Sequence, residues 1–112
     1  MSDDEMIYDE KYYRIAKVAD LPEGERLFFE LEGKPIVLFL LKGEYLAIAD
    51  ECSHDQGSIG EGELDGEEII CPRHGARFDL RTGKVMSFPA VKDIEVYSVR
   101  VKDDYLEVAI KK

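Results

Sequence analysis

The sequence of 112 residues contains only two cysteines and two histidines, and it is short of positive charge. Lysine and arginine contribute 15 residues against 25 aspartates and glutamates, so the formal net charge is −10. A surface of this sign repels a phosphate backbone, and nucleic acid is therefore not an expected partner. The negative charge would either keep a small protein soluble or attract basic docking patches on partner proteins.

The chain also lacks the features of a membrane or targeting segment. It has no run of about eighteen apolar residues, and its longest apolar stretch, residues 36–41, is typical of a buried strand. Residues 1–5 are acidic, whereas a signal peptide begins with basic residues and continues with apolar ones. We therefore expect a cytoplasmic protein that does not associate with a membrane. We also expect it to be a monomer.

Short extended segments separated by turn residues make up most of the chain. Tight turns are predicted at Gly33-Lys34, at Lys42-Gly43-Glu44 and at Lys102-Asp103-Asp104. No helix of about ten or more residues is expected, so the pattern predicts an all-β domain, an antiparallel sandwich or partly open barrel of about nine or ten strands. The candidate strands are residues 12–18, 26–32, 35–41, 45–50, 68–71, 76–80, 85–88, 94–101 and 105–110.

The chain divides into a short tail and one domain. Residues 1–10 are predicted to form a flexible acidic tail, and residues 11–112 a single domain with one core. Residues 51–66 are rich in glycine and acidic residues and show little periodicity, which indicates a loop. Loops on a rigid β scaffold are common places for functional sites.

The scarce cysteines and histidines all fall within 23 residues. The first group reads Cys52-Ser53-His54, and the second, after sixteen further residues, reads Cys71-Pro72-Arg73-His74-Gly75. Each group offers one thiolate and one imidazole, so two such loops lying side by side would form a Cys₂His₂ site. The candidate ligands are Cys52, His54, Cys71 and His74.

Three interpretations of this motif compete. A disulfide between the cysteines is disfavoured in the cytoplasm and leaves the matched histidines unexplained. A structural zinc site accepts two cysteines and two histidines, but common zinc patterns pair cysteine with cysteine and histidine with histidine. The third interpretation is an iron–sulfur cluster held by two cysteines and two histidines.

The spacing resembles the ligand signature of Rieske [2Fe–2S] proteins. The residues after it, Phe78-Asp79, Thr82-Gly83-Lys84 and Phe88-Pro89-Ala90, are similar to those of the Rieske ferredoxins of bacterial ring-hydroxylating dioxygenase systems. The resemblance implies a Rieske-like fold with a two-loop cluster-binding subdomain. It also implies that Cys52 and Cys71 bind an inner iron, and that His54 and His74 bind an outer iron near solvent.

The resemblance implies a one-electron carrier rather than an enzyme. Its partners would be a flavin-dependent ferredoxin reductase and a terminal non-haem iron oxygenase. An oxygenase would need a separate iron site with two histidines and a carboxylate, and both histidines of this chain already belong to the cluster motif. A role in iron–sulfur assembly or redox sensing, and a structural zinc module, remain as alternatives.

Two departures indicate the low-potential branch of the family. Rieske proteins of respiratory complexes carry a disulfide between their cluster loops, and the matching positions here are Gly57 and Arg73. Those proteins also donate hydrogen bonds to sulfur from a serine and a tyrosine, and here Ala76 and Phe78 stand at these positions. Such bonds stabilise the reduced state, so their absence predicts a lower potential.

The charges around the motif are uneven. Residues 50–68 carry eight acidic side chains and no lysine or arginine, whereas the second loop and the turn after it are mostly basic. This pattern indicates either an ordinary solvated surface or a docking surface with a polar axis.

Overall fold

The computed structural model describes residues 10–53, 57–73, 75–88 and 92–111. Eleven strands and one short 3₁₀ helix, Val18–Asp20, lie in these ranges. Among the described residues, no helix is long and apolar enough to cross a membrane. The strands are β1 (Glu10–Lys17), β2 (Arg26–Leu31), β3 (Lys34–Leu41), β4 (Glu44–Ala49), β5 (Leu64–Asp65), β6 (Glu68–Ile70), β7 (Arg77–Asp79), β8 (Val85–Ser87), β9 (Val96–Tyr97), β10 (Val99–Lys102) and β11 (Tyr105–Lys111).

The described strands form three antiparallel sheets, which confirms the predicted all-β class. The central sheet has the strand order β2-β3-β4-β9, the outer sheet has β1-β11-β10, and the subdomain sheet has β5-β6-β7-β8. The division into a tail over residues 1–10 and a domain over 11–112 stays a prediction. Residues 1–9 lie outside the described residues, and β1 begins at Glu10.

Strand β3 is buried on both of its faces, as its apolar sequence predicts. Successive side chains of a strand point to opposite faces. Val37 and Phe39 accordingly pack into the loop-side core, between the central sheet and the subdomain, whereas Ile36 and Leu38 pack into the sheet-side core, beneath the outer sheet. The central sheet therefore separates two apolar layers, and one of these layers contains both cysteines.

Tight two-residue turns connect several of the strands. Glu32 and Gly33 both have positive φ, and Leu31 pairs with Lys34 across them. Positive φ at both central positions is the signature of a type I′ hairpin turn, in which glycine is favoured. The predicted turn at Gly33-Lys34 is thus wrong by one residue, because Lys34 already pairs in β3.

Two further predictions are corrected by the structure. Residues 94–101 do not form one strand: Ile48 pairs with Val96 in β9, whereas Val99 in β10 pairs with β11. The chain changes sheets at Ser98, whose carbonyl accepts a hydrogen bond from Ala109 N, so one continuous strand could not satisfy both sheets. Residues 51–66 are not entirely loop either, because β5 pairs with β6 at their end.

Candidate metal centre

The two cysteines lie at equivalent places in two closed loops. Cys52 N donates to Gly57 O at 2.8 Å, and Cys71 N donates to Ala76 O at 2.7 Å. In both loops the acceptor stands five positions after the cysteine. Each loop encloses one of the candidate histidines in the sequence, since His54 lies between Cys52 and Gly57 and His74 between Cys71 and Ala76.

Both sulfurs are withdrawn from solvent. Cys52 is 0% exposed and Cys71 1%, and both belong to the loop-side core with Ile59, Ile69 and Phe78. No disulfide joins them. Two buried thiols at the base of two paired loops fit the soft ligand set that an iron–sulfur cluster takes, and they argue against the disulfide interpretation.

The candidate histidines, His54 and His74, lie outside the described residues. Within the ranges that the structure describes, no group of three or more histidine, cysteine, aspartate or glutamate side chains is placed to hold a metal ion. Cys52 and Cys71 are thus the candidate ligands that the structure describes, and ligation by His54 and His74 stays a prediction.

Side chains from outside the first loop hold its returning segment, residues 57–62. Asp50 Oδ1 accepts hydrogen bonds from Ser58 Oγ, Ile59 N and Gly60 N at 2.9, 3.0 and 2.6 Å. Arg26 Nη1 donates to the carbonyl oxygens of Gly60 and Gly62 at 2.6 and 2.9 Å. Arg73 of the second loop also contributes, since its Nη1 donates to Ser58 O at 2.8 Å. These contacts fix the loop by hydrogen bonds rather than by packing alone.

Sequence reasoning did not identify Asp50 and Arg26 as supports of the site. An aspartate directly before a glycine-rich loop is a recognisable signal, because its carboxylate can accept bonds from backbone N–H groups a few residues away. Arg26 gave no such signal, since it reaches the loop from β2, far away in the sequence.

A third segment contacts the first loop. Ser53 Oγ donates to Lys92 O at 2.5 Å, and Val85 N donates to Asp93 Oδ1 at 2.9 Å. The residues between β8 and Lys92 include Pro89, which belongs to the Phe88-Pro89-Ala90 motif. Pro89 lies outside the described residues, but the segment that follows it is tied to the loop of Cys52.

The predicted separation of charge is partly cancelled by ion pairs. Arg77 contacts Asp65 and Glu68, and its hydrogen bond to Asp65 raises its pKa. Arg81 donates to both oxygens of Glu44 and also contacts Glu67. The Arg81 guanidinium lowers the pKa of Glu44 by hydrogen bonding. Acidic side chains that remain exposed beside the first loop include Glu51, Glu61 and Glu63.

The family follows from a match across most of the chain. A model of the Rieske [2Fe–2S] domain matches residues 11–98. The chain belongs to the Rieske [2Fe–2S] family. This membership confirms the predicted Rieske fold and the predicted [2Fe–2S] cofactor, and it replaces the zinc interpretation.

Several similar Rieske proteins are ferredoxins of dioxygenase systems. The chain is 42% identical over 87 residues to the 3-phenylpropionate/cinnamic acid dioxygenase ferredoxin subunit of Shigella flexneri serotype 5b (strain 8401), a match that covers 76% of this chain and 80% of the relative. The ferredoxin of carbazole 1,9a-dioxygenase from Nocardioides aromaticivorans IC177 matches with a TM-score of 0.81 and 30% identity, over 90% of this chain and 98% of that one.

A related structure contains both an oxygenase and a ferredoxin. A chain in the complex of reduced oxygenase and oxidised ferredoxin in carbazole 1,9a-dioxygenase matches with a TM-score of 0.82 and 30% identity, over 90% of this chain and 94% of that one. Together these relatives confirm the predicted role in electron transfer, as opposed to catalysis on a substrate. The identity of the four cluster ligands in this chain stays a prediction.

Proposed function

We propose that Cys52 and Cys71 hold the inner iron of the Rieske cluster and that His54 and His74 hold its outer iron. The observation that carries this assignment is the matched closure of the two loops, in which each cysteine N–H is bonded to a carbonyl five residues later. The repeated geometry presents one buried cysteine sulfur at the base of each loop, and the sequence places one histidine within each.

We further propose that the protein carries electrons from a flavin-dependent reductase to a terminal non-haem iron oxygenase in the cytoplasm. When bound, the cluster accepts and releases one electron, and its two imidazole ligands raise its potential above that of all-cysteine ferredoxins. The support for the acceptor is the similarity to ferredoxins of dioxygenase systems. The reductase follows from the same analogy.

The residues of the chain would protect the site on its inner side and leave its outer side open. Cys52 and Cys71 are buried against Ile59, Ile69 and Phe78, so water is excluded from the sulfur side. Pro72 and Arg73 of the second loop are exposed. An electron would therefore enter and leave through the loop tips, where the histidines stand in the sequence.

An exposed aromatic side chain that directly follows β8 is suited to partner contact. Phe88 is 82% exposed. Burial of a large aromatic side chain in an interface provides favourable free energy. We propose that Phe88 contacts the oxygenase.

The cofactor test is metal and sulfide analysis of the purified protein. About two irons and two acid-labile sulfides per chain are expected, with a red-brown colour. The substitution Cys52→Ser should abolish both. One zinc per chain with no sulfide would contradict the assignment.

The carrier test uses the reductase and oxygenase of a dioxygenase system from the same organism, with NADH as electron donor. Substrate oxidation should require the ferredoxin, and Phe88→Ala should raise the ferredoxin concentration needed for half-maximal rate while its reduction potential stays the same. Val101→Ala is the matched control, because Val101 is 52% exposed on the outer sheet. If the reductase does not reduce the protein and the oxygenase does not oxidise it, a role in sensing or cluster assembly is favoured.

A further inference from the structure

The guanidinium of Arg73 occupies the space where a side chain at position 57 would lie. A Cβ atom built on Gly57 would be 2.7 Å from Arg73 Cζ and 2.8 Å from its Nη2. The same guanidinium donates to the carbonyl oxygen of Ser58, the next residue, at 2.8 Å. Arg73 belongs to the second cluster loop and Gly57 to the first, so this contact joins the two loops.

Position 57 favours glycine because a side chain there would meet Arg73, and not because the backbone conformation requires glycine. Gly24, Gly33, Gly43, Gly66, Gly75 and Gly83 have positive φ, whereas Gly57 does not belong to this group. An L-residue could therefore adopt its backbone conformation without the usual strain. What a side chain at Gly57 would displace is the guanidinium of Arg73.

We propose that Arg73 is a positioning residue that holds the two cluster loops together, in a contact that we call the brace. Its guanidinium occupies the space beside Gly57, which we call the socket. The proposal rests on the cluster ligands assigned above. Arginine suits this role because its planar guanidinium can lie flat over a glycine and donate in a fixed direction to a carbonyl oxygen. The brace is not covalent, so it does not depend on the redox state of any thiol.

The positions of the two residues explain why bracing them would affect the cluster. Gly57 O closes the loop of Cys52 by accepting the cysteine N–H, and Arg73 stands directly before His74. If the guanidinium moved, the first loop would lose its hydrogen bond from Arg73 to the carbonyl oxygen of Ser58. The backbone that leads into His74 would also be free to shift. Arg73 would thus act on the cluster through the loops that carry its ligands.

The test compares the oxidised holoproteins of wild type, Arg73→Met, Arg73→Lys, Gly57→Ala and the double variant Arg73→Met/Gly57→Ala. The rate of cluster loss is followed by visible absorbance in the presence of an iron chelator, with and without a thiol reductant. Arg73→Met and Gly57→Ala should each lose the cluster at least about threefold faster, a modest factor because the arginine is partly solvated. The reductant should change none of these rates.

The double variant tests whether Arg73 and Gly57 act as one unit. If the socket and the guanidinium act as one unit, the double variant loses its cluster at the rate of Arg73→Met alone, because the methionine variant has already lost the contact that the added methyl group would disturb. Multiplicative rate changes would show that the two residues act independently, which overturns the proposal.

The EPR spectrum and the reduction potential of the variants distinguish bracing from an effect of charge or of overall stability. Gly57→Ala keeps the arginine charge, so an altered EPR spectrum of its reduced cluster reports moved ligands. Arg73→Lys keeps the charge but not the planar group. We expect this variant to lose its cluster faster than wild type while its reduction potential stays near the wild-type value. If Arg73→Met changes only the potential and Gly57→Ala changes nothing, Arg73 acts as a charge and the brace is wrong. A wild-type protein without iron would contradict the proposed function instead.

Discussion

Asp50 Oδ1 lies 2.6 Å from the backbone nitrogen of Gly60, and this bond ties the residue that follows β4 to the returning segment of the first cluster loop. The same oxygen also accepts from Ile59 N and from Ser58 Oγ. One carboxylate oxygen therefore orders three consecutive residues, and the loop that contains Cys52 depends on it.

Replacing Asp50 by alanine should destabilise the protein and speed cluster loss. Two backbone N–H groups would lose their acceptor, which costs on the order of 1–3 kcal/mol in the free energy of unfolding. Urea unfolding with visible absorbance as the probe measures this. Ser58→Ala is the control, since it removes one of the three bonds and should cost less. Equal stability of wild type and Asp50→Ala would contradict the role assigned to this carboxylate.

Gly62 lies against backbone, which cannot move aside as a flexible side chain could. A Cβ at Gly62 would be 2.0 Å from the carbonyl oxygen of Ile70, so the strand itself would have to shift. We expect Gly62→Ala to prevent recovery of folded holoprotein. Gly66→Ala is the matched comparison: Gly66 has positive φ but open space around it, so its cost should be about 1 kcal/mol. Similar yields of both variants, measured by iron content and circular dichroism, would rule out this packing argument.

Buried Glu107 should make stability depend on pH. It is 6% exposed and accepts a hydrogen bond from Arg100 Nε at 2.8 Å, which lowers its pKa below the usual value in the folded state. The stabilising contribution is therefore fully present above the unfolded pKa and is lost as pH falls through the folded pKa. The urea midpoints of wild type and Glu107→Gln should differ most near pH 7 and converge as pH falls through the folded pKa of Glu107. A difference that is constant across this range would exclude an electrostatic origin.

The reduction potential should lie near the low end of the Rieske range, about −150 mV. Ala76 and Phe78 are both 0% exposed and share the loop-side core with Cys52 and Cys71, yet neither side chain has a hydrogen to donate to sulfur. Ala76→Ser and Phe78→Tyr should each raise the midpoint if the new hydroxyl reaches its acceptor. Protein-film voltammetry measures the three midpoints, and a wild-type value near about +300 mV would show that the missing hydroxyls do not set the potential.

The same measurement across pH tests the histidine ligands. Reduction makes the cluster more negative and so favours the protonated imidazole. The midpoint should be nearly constant around neutral pH and fall at alkaline pH, where electron uptake is coupled to proton uptake. A midpoint that stays constant at alkaline pH would contradict ligation by ionisable imidazoles.

The sequence predicted most of the strands because period-two patterns and turn residues are local signals. It located β3 and its burial from six apolar residues in succession, 36–41. It did not predict the break at Ser98, because the pattern of residues 94–101 is continuous and only pairing with two different sheets divides it. The contact of Arg73 with Gly57 was also hidden, since a glycine that provides space looks in the sequence like any turn glycine.

The central claim, a cluster held by two cysteines and two histidines, is tested most directly by pulsed EPR of the reduced protein labelled with ¹⁵N-histidine. The chain has two histidines, so the label reports on His54 and His74 alone. We predict strong hyperfine coupling to two histidine nitrogens, with one coupling lost in each of His54→Cys and His74→Cys. A paramagnetic cluster without histidine coupling, or with coupling unchanged in both variants, would contradict the account.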